Sequence, residues 1–228
     1  VIARPFRLPE AVWAVLGALL LCVLGELPWT QALHAVGKGT DVYLFLAGMM
    51  LASELARKEG LFDYMAVLAA RRADGSAVRL FFLLYCVGVM VTITMSNDAT
   101  AVVLTPAVLA VVRTVKARQP LPYLYACAFV ANAASFVLPI SNPANLVIFG
   151  EHMPTLGQWL ARFLLPSALA IIMTYFILRV LQREALAQQI EKEAEIPVLS
   201  AAGKANGWGI ALMAIVMLTA SALGVFLG

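Results

Sequence analysis

Long apolar runs make up most of the chain, and short polar segments separate them. A membrane core about 30 Å thick requires roughly 20 apolar residues in one helix. Apolar runs of this kind cover residues 9–29, 40–56, 157–180 and 207–228. The pattern therefore predicts an all-α polytopic membrane protein in which these runs are membrane helices.

Two further apolar regions are interrupted by polar residues. Region 78–113 has two apolar arms around the sequence Ser-Asn-Asp-Ala-Thr at 96–100, and its second arm is short for a full crossing. This predicts a re-entrant helical hairpin. Region 121–149 is long enough to span, but Pro-Ile-Ser-Asn-Pro-Ala-Asn at 139–145 interrupts it. This predicts a broken transmembrane helix.

The segments between these regions are amphipathic or polar. Apolar residues recur at helical spacing over 60–72, which indicates a helix at the membrane interface. Residues 181–206 form a sustained polar segment, which predicts a cytoplasmic linker. With a cytoplasmic amino terminus, all 16 Lys and Arg residues except Lys38 and Arg162 fall on the cytoplasmic side. Two fully spanning arms in region 78–113 would preserve this asymmetry, so charge leaves re-entrant and spanning arms open.

Composition excludes several classes of protein. The chain of 228 residues is 62% hydrophobic and 13% charged, against about 25% charged in soluble domains. A net charge of +3 gives no indication of nucleic-acid binding. The three cysteines are widely spaced, so they predict neither a disulfide framework nor a metal site. We expect no cofactor and no enzymatic activity.

Polar residues in the two interruptions are the candidate chemistry, because such residues are costly inside a membrane. Asn142 before Pro143 is a favourable start for a short helix, and Asn97 or Asp98 can cap the returning arm. Two helix amino termini facing one cavity are typical of secondary transporters. The candidate substrate-binding residues are Ser96, Asn97, Thr100, Ser141, Asn142 and Asn145.

Asp98 stands apart from the other acids because it lies at the predicted hairpin tip. Desolvation disfavours the charged form of a carboxyl group, so an acid at that depth can carry a proton. The sequence therefore makes Asp98 the candidate proton-coupling residue. A purely structural role as a helix cap is the alternative.

The interrupted segments resemble those of the ArsB-type arsenite efflux pumps. The resemblance rests on three stretches: Thr-Met-Ser-Asn-Asp-Ala-Thr-Ala-Val-Val-Leu-Thr-Pro at 94–106, Phe-Val-Ala-Asn-Ala-Ala-Ser at 129–135, and Ser-Asn-Pro-Ala-Asn-Leu at 141–146. It extends from about Asp41 to Arg179. The wider superfamily of ion transporters also includes divalent anion/sodium symporters.

The resemblance implies a plasma (inner) membrane pump that expels arsenite or antimonite in exchange for protons, alone or with a cytoplasmic ATPase subunit. It also implies two inverted repeats, each with scaffold helices, a hairpin and a broken helix. This sequence has one hairpin and one break, so we expect residues 1–180 to form the first repeat. Residues 207–228 would then begin the second repeat, which should complete the site.

Two other functions stay open. A sodium-coupled carboxylate or inorganic anion transporter of the same fold would use the Ser-Asn segments to hold sodium. A non-transporting membrane subunit would use both interruptions only for helix packing. Neither polar cluster contains Arg or Lys, which favours a neutral, hydroxyl-rich substrate such as arsenous acid.

Overall fold

The computed structural model describes residues 9–149, 152–192 and 199–223, and in these residues the regular secondary structure is helical, without a β-strand. The α-helices are α1 (Glu10–Val23), α2 (Trp29–Lys38), α3 (Thr40–Lys58), α4 (Leu61–Ala73), α5 (Ala77–Thr94), α6 (Thr105–Thr114), α7 (Leu121–Ala133), α8 (Pro143–Phe149), α9 (Leu156–Leu181), α10 (Arg183–Leu186) and α11 (Ala201–Ala222). Of the described helices, α5, α9 and α11 are long and apolar enough to cross a membrane. The predicted all-α membrane class is therefore confirmed.

The chain divides into two compact units, residues 1–44 and 45–228. In the first unit, the helix predicted over 9–29 is wrong in extent. Helix α1 ends at Val23, and Gly25 follows with a φ of 78°. A left-handed residue cannot continue a right-handed helix. The chain then starts α2 after Pro28, whose extended backbone precedes the new helix.

The second unit is centred on α5, which packs mainly against α4 and α7. The two helices approach closely at Gly88 of α5, where an added Cβ would lie 2.7 Å from Cγ1 of Val130 on α7. Glycine therefore sets the distance between these two helices. Helix α9 also packs against α7. The predicted interfacial helix 60–72 corresponds to α4. Its buried residues are Phe62 and four alanines, Ala66, Ala69, Ala70 and Ala73.

The predicted linker, 181–206, is shorter and more ordered than the sequence indicates. Its first part contains α10, and the backbone N–H of Ile190 donates to the carbonyl of Gly75, at 2.9 Å. Its last residues belong to α11, which begins at Ala201 rather than at the predicted 207 because Ser200 caps it by accepting from the N–H of Gly203, at 2.8 Å. Residues 193–198 and 224–228 lie outside the described chain.

Candidate functional site

The first interruption is the tip of the hairpin that α5 and α6 form. Helix α5 ends at Thr94, and the returning arm begins after Ser96, whose Oγ accepts from the backbone N–H of Ala99, at 3.2 Å. Asn97 Oδ1 accepts from the N–H of Asp98, at 3.0 Å. The prediction that Asn97 or Asp98 caps this arm is therefore wrong. Ser96 is the cap because its hydroxyl reaches the N–H three residues ahead.

A π-helical segment, Ala99–Leu104, connects the tip to α6. Its buried Thr100 hydroxyl lies 2.8 Å from the hydroxyl of Thr92 on α5. Thr92 also donates to the carbonyl of Gly88, at 2.8 Å. The wider π-helical turn leaves backbone groups without α-helical partners, and such turns are frequent at functional sites. Here the two threonine hydroxyls tie the two arms together.

The second interruption separates α7 from α8. The backbone unwinds after Ala133, forms a short 3₁₀ turn at Pro139–Ser141, and enters α8 at Pro143. Asn142 Oδ1 accepts from the N–H of Ala144, at 2.9 Å. The helix start that the Asn-Pro pair predicts is therefore confirmed.

Ser141 brings the two interruptions together. Its Oγ accepts from the N–H of Leu138, at 3.2 Å, and donates to the carbonyl of Ile93 on α5, at 3.1 Å. Ile93 is three residues before the hairpin tip at Ser96. The two polar clusters, distant in sequence, therefore meet in the folded chain.

Asn145 is fully buried beneath the second interruption. Its Nδ2 donates to the carbonyls of Pro139, at 3.1 Å, and Ser135, at 3.4 Å. Its Oδ1 is buried and has no hydrogen-bond partner among the described residues. A buried acceptor without a partner is costly, so this oxygen is free to accept a hydrogen bond or to approach a cation.

A cavity of about 710 Å³ lies between α3 and the hairpin tip, with Pro143 of α8 at its edge. Of the predicted polar residues, Ser96 and Asp98 line it. The Asp98 side chain is exposed. Thr100, Ser141 and Asn145 are buried and are not among its lining residues, whereas Asn97 and Asn142 are partly exposed.

Helix α3 contributes two polar lining residues that are not among the candidates predicted from the sequence, Ser53 and Glu54. Ser53 is buried, and Glu54 forms a two-point ion pair with Arg57, with N···O distances of 2.6 and 2.8 Å. Adjacent Ser and Glu inside the apolar run 40–56 are the signal that would have identified them. The charged residues lining the cavity within the described chain, Glu54 and Asp98, are both acidic.

No group of three or more His, Cys, Asp or Glu side chains within the described residues is arranged to hold a metal ion. The cavity walls are otherwise apolar, with Met49, Met50 and Val102 among them. The site therefore combines an apolar chamber with a few hydroxyl and carboxyl groups, which come from α3 and from the hairpin tip.

Comparison with known proteins identifies a family. Residues 1–228 match the citrate transporter family, CitMHS. The "Putative arsenical pump membrane protein" of Bacillus subtilis is 27% identical over 171 residues, which are 74% of this chain and 39% of that protein. An uncharacterized transporter of Mycobacterium tuberculosis is 26% identical over 179 residues, 78% of this chain and 41% of that protein. The arsenical pump membrane protein of Escherichia coli is 29% identical over 156 residues, 64% of this chain and 35% of that protein.

The aligned region thus spans less than half the length of these relatives. No solved structure matches the chain. The family match extends over all 228 residues. This all-α membrane chain therefore belongs to the citrate transporter family, CitMHS.

Proposed function

We propose that this chain forms part of a secondary transporter that expels arsenite or antimonite from the cytoplasm in exchange for protons. The observation that carries the proposal is the cavity between α3 and the hairpin, whose charged lining residues are the acids Glu54 and Asp98. Glu54 is paired with Arg57, so Asp98 gives the lining its net negative charge. This charge disfavours an anionic substrate, whereas arsenous acid is neutral at pH 7. Relatives named arsenical pump membrane proteins support the same assignment.

The proposed substrate-binding residues fall into two groups: those that line the cavity or are partly exposed, and those that are buried and already hydrogen-bonded. Ser96, which lines the cavity, and the partly exposed Asn97 and Asn142 are placed to donate to and accept from the hydroxyl groups of the substrate. Thr100, Ser141 and Asn145 already bond to protein groups. In this proposal they reach the substrate only when the two interruptions separate during the transport cycle.

Asp98 is the proposed proton carrier because its carboxyl group lines the cavity at the hairpin tip. Protonation removes the charge of the Asp98 carboxyl group. The neutral and charged forms of the tip would differ in the relative free energies of the inward-facing and outward-facing states. Binding and release of a proton would then shift the population between inward-facing and outward-facing states. A second inverted repeat is proposed to supply the opposite wall, and a cytoplasmic ATPase subunit is a further proposed partner.

The test is arsenite uptake into inverted membrane vesicles that carry the full-length protein. With an imposed pH gradient, Asp98→Asn is expected to lose gradient-driven uptake by at least about tenfold, since neutral Asn cannot carry the proton. Asp63→Asn is the matched control, because Asp63 is an exposed acid on α4 that does not line the cavity. Unchanged uptake with unchanged pH dependence in Asp98→Asn would contradict the coupling role.

A sodium-coupled carboxylate transporter is the second candidate, and two observations favour it. The matched family is described as a citrate transporter. Asn145 of α8, whose Oδ1 is free, reaches the carbonyls of Ser135 and Pro139 in the unwound segment, and backbone carbonyls of such segments in transporters can coordinate sodium. Citrate uptake driven by sodium, with no response to arsenite, would select this candidate. Movement of neither solute would favour a non-transporting subunit.

A further inference from the structure

Trp159 lies in the first turn of α9 and is completely buried. Tryptophan near the end of a membrane helix is commonly an interface anchor, but this side chain points into the protein. Its Nε1–H donates to the backbone carbonyl of Phe136, at 3.0 Å. Phe136 belongs to the unwound segment between α7 and the 3₁₀ turn. The indole thus supplies a hydrogen bond that a continuous helix would have made itself.

The same indole contacts both ends of the second interruption. Its ring stacks on Phe136, with centroids 6.5 Å apart and planes 9° apart, and meets Phe149 edge-on at 5.3 Å. Phe163, one turn further along α9, packs on Trp159 at 4.4 Å. Phe136 lies in the unwound segment before the 3₁₀ turn, and Phe149 is the last residue of α8. One side chain of α9 therefore holds the segment 136–149 at its beginning and its end.

We propose that Trp159 is a positioning residue that fixes the broken-helix segment through the carbonyl of Phe136. The segment it holds contains Ser141, Asn142 and Asn145, so the orientation of these groups depends on the indole N–H. The inference rests on the proposed function only in assigning substrate contacts to that segment. Its structural part, the fixation of the segment, stands on the hydrogen bond and the ring contacts.

Two substitutions separate hydrogen bonding from packing. Trp159→Phe keeps an aromatic ring against Phe136 and Phe149 but removes the donor. Trp159→His has the opposite effect, because Nε2–H of a neutral imidazole occupies the same place in the five-membered ring as the indole N–H. A positioning role through the carbonyl predicts that His preserves the native behaviour better than Phe. A packing role predicts the reverse.

The first readout needs no substrate. Ala144 is exposed in α8, so an Ala144→Cys variant reports on the segment when Cys22, Cys86 and Cys127 are replaced by alanine. In this background Trp159→Phe is expected to change the rate of maleimide labelling by about threefold or more, because loss of a buried hydrogen bond releases the segment. Trp159→His should stay close to the parent rate. Trp208→Phe is the control, since Trp208 is 78% exposed.

The second readout is arsenite transport by the full-length protein in vesicles. Trp159→Phe is expected to raise KM about tenfold with a smaller effect on maximal rate, whereas Trp159→His keeps KM near the parent value. If the parent protein moves no arsenite, the proposed function fails and the labelling rates still decide the role of Trp159. Labelling unchanged in Trp159→Phe, or disturbed more in Trp159→His than in Trp159→Phe, would overturn the proposal. If Trp159→Phe does not accumulate, the labelling of Trp159→His against its parent decides alone.

Discussion

The hairpin tip and the second interruption are both breaks in a helix, but they are stabilised in different ways. The tip is closed by its own neighbours: Ser96 caps the returning arm, and Thr100 pairs with Thr92 eight residues earlier. The second interruption depends on other helices. Ser141 bonds to the carbonyl of Ile93 on α5, and Trp159 of α9 bonds to Phe136.

This difference determines how each break responds when the hairpin or the neighbouring helices move. A tip that satisfies its own backbone can shift as a unit without leaving unpaired groups behind. The second interruption cannot, because two of its hydrogen bonds, those of Ser141 and of the Phe136 carbonyl, are to α5 and α9. Its shape therefore depends on the positions of those helices. The hydrogen bond from Ser141 to Ile93 connects the two breaks, so a displacement of one break would shift the other.

The largest effect is expected from removing that link. Ser141→Ala leaves the N–H of Leu138 and the carbonyl of Ile93 without this partner. Because each buried group left unpaired costs about 1–3 kcal/mol, we expect a loss of about 2–4 kcal/mol in unfolding free energy. The measurement is denaturant unfolding of the purified protein in detergent micelles.

Ser135→Ala is the matched control for this experiment. Ser135 is also buried, but its hydroxyl donates to the carbonyl of Ala131 within its own chain segment, at 2.6 Å. Ser135→Ala should therefore lower the unfolding free energy clearly less than Ser141→Ala does. Equal losses in the two variants would mean that Ser141 does not act as a bridge between the breaks.

A somewhat smaller effect is expected at the back of the hairpin. Gly88→Ala places a Cβ 2.7 Å from Cγ1 of Val130, and overpacking of this kind costs about 1–3 kcal/mol. Val130→Ala in the same chain should restore much of the loss by making room. Gly48→Ala is the control, because nothing lies within 4 Å of its added Cβ.

This pair of variants also tests whether the tip is independent of its surroundings. The carbonyl of Gly88 accepts from Thr92, so a shift of α5 at this point moves the partner of Thr100. Arsenite transport that survives Gly88→Ala despite a lower unfolding midpoint would support an independent tip. Transport that is lost, and is restored together with stability in the double variant, would show that α7 controls the tip.

Local patterns account for the parts of the fold that sequence predicted. The Asn-Pro pair at 142–143 starts α8 because both residues suit a helix amino terminus whatever surrounds them. The polar residues at 96–100 end α5 for similar local reasons. The predicted extent of the first helix was wrong because the sequence alone does not reveal the φ angle of a glycine within an apolar run. Gly25 adopts a positive φ in this chain.

The parts of the site that sequence missed come from distant contacts. Trp159 has the position of an interface anchor, and only folding places it against Phe136, 23 residues away. Ser53 and Glu54 lie in an ordinary helix and join the cavity because α3 packs beside the hairpin. The docking of the linker on Gly75 depends likewise on residues more than 100 positions apart. Periodicity and capping signals are local and cannot report such pairs.

A smaller effect is expected for the bond that closes the tip itself. Thr92→Val keeps the shape of the side chain but removes the hydroxyl that pairs with Thr100. Thr100 retains a longer contact with the carbonyl of Gly88, at 3.5 Å. Hydrogen bonds between membrane helices average about 0.6 kcal/mol, so we expect a loss of about that size.

The control is Thr94→Val, because the one side-chain hydrogen bond of Thr94 within the described chain is to the carbonyl of Met90 in its own helix, at 2.8 Å. The unfolding free energy of both variants should be measured under the conditions used for Ser141→Ala. If Thr92→Val costs as much as Ser141→Ala, the tip depends on that one bond as heavily as the second interruption depends on its bridge. The proposed difference between the two breaks would then be wrong.

The smallest effect is expected at the base of the hairpin, where support again comes from outside. Asp74, at the turn before α5, pairs with Lys192 of the linker at 2.9 Å, and this hydrogen-bonded ion pair lowers the pKa of Asp74. A carboxyl group with a lowered pKa in the folded state stabilises the fold above its unfolded pKa. That contribution is lost as the pH falls through the folded value. Because both side chains are exposed, the effect should be small and sensitive to salt.

Asp74→Asn isolates this charge, because Asn tolerates the left-handed backbone that Asp74 adopts, with a φ of 48°. In the parent protein the unfolding midpoint should fall between about pH 5 and pH 3 more steeply than in Asp74→Asn. At neutral pH and high salt the two should agree closely. Asp63→Asn serves as the control, since no ion pair joins Asp63 to the linker among the described residues. A steeper acid dependence in Asp74→Asn than in the parent would show that the linker does not hold the base through this pair. The base of the hairpin would then be held by contacts within the hairpin itself, as the tip is.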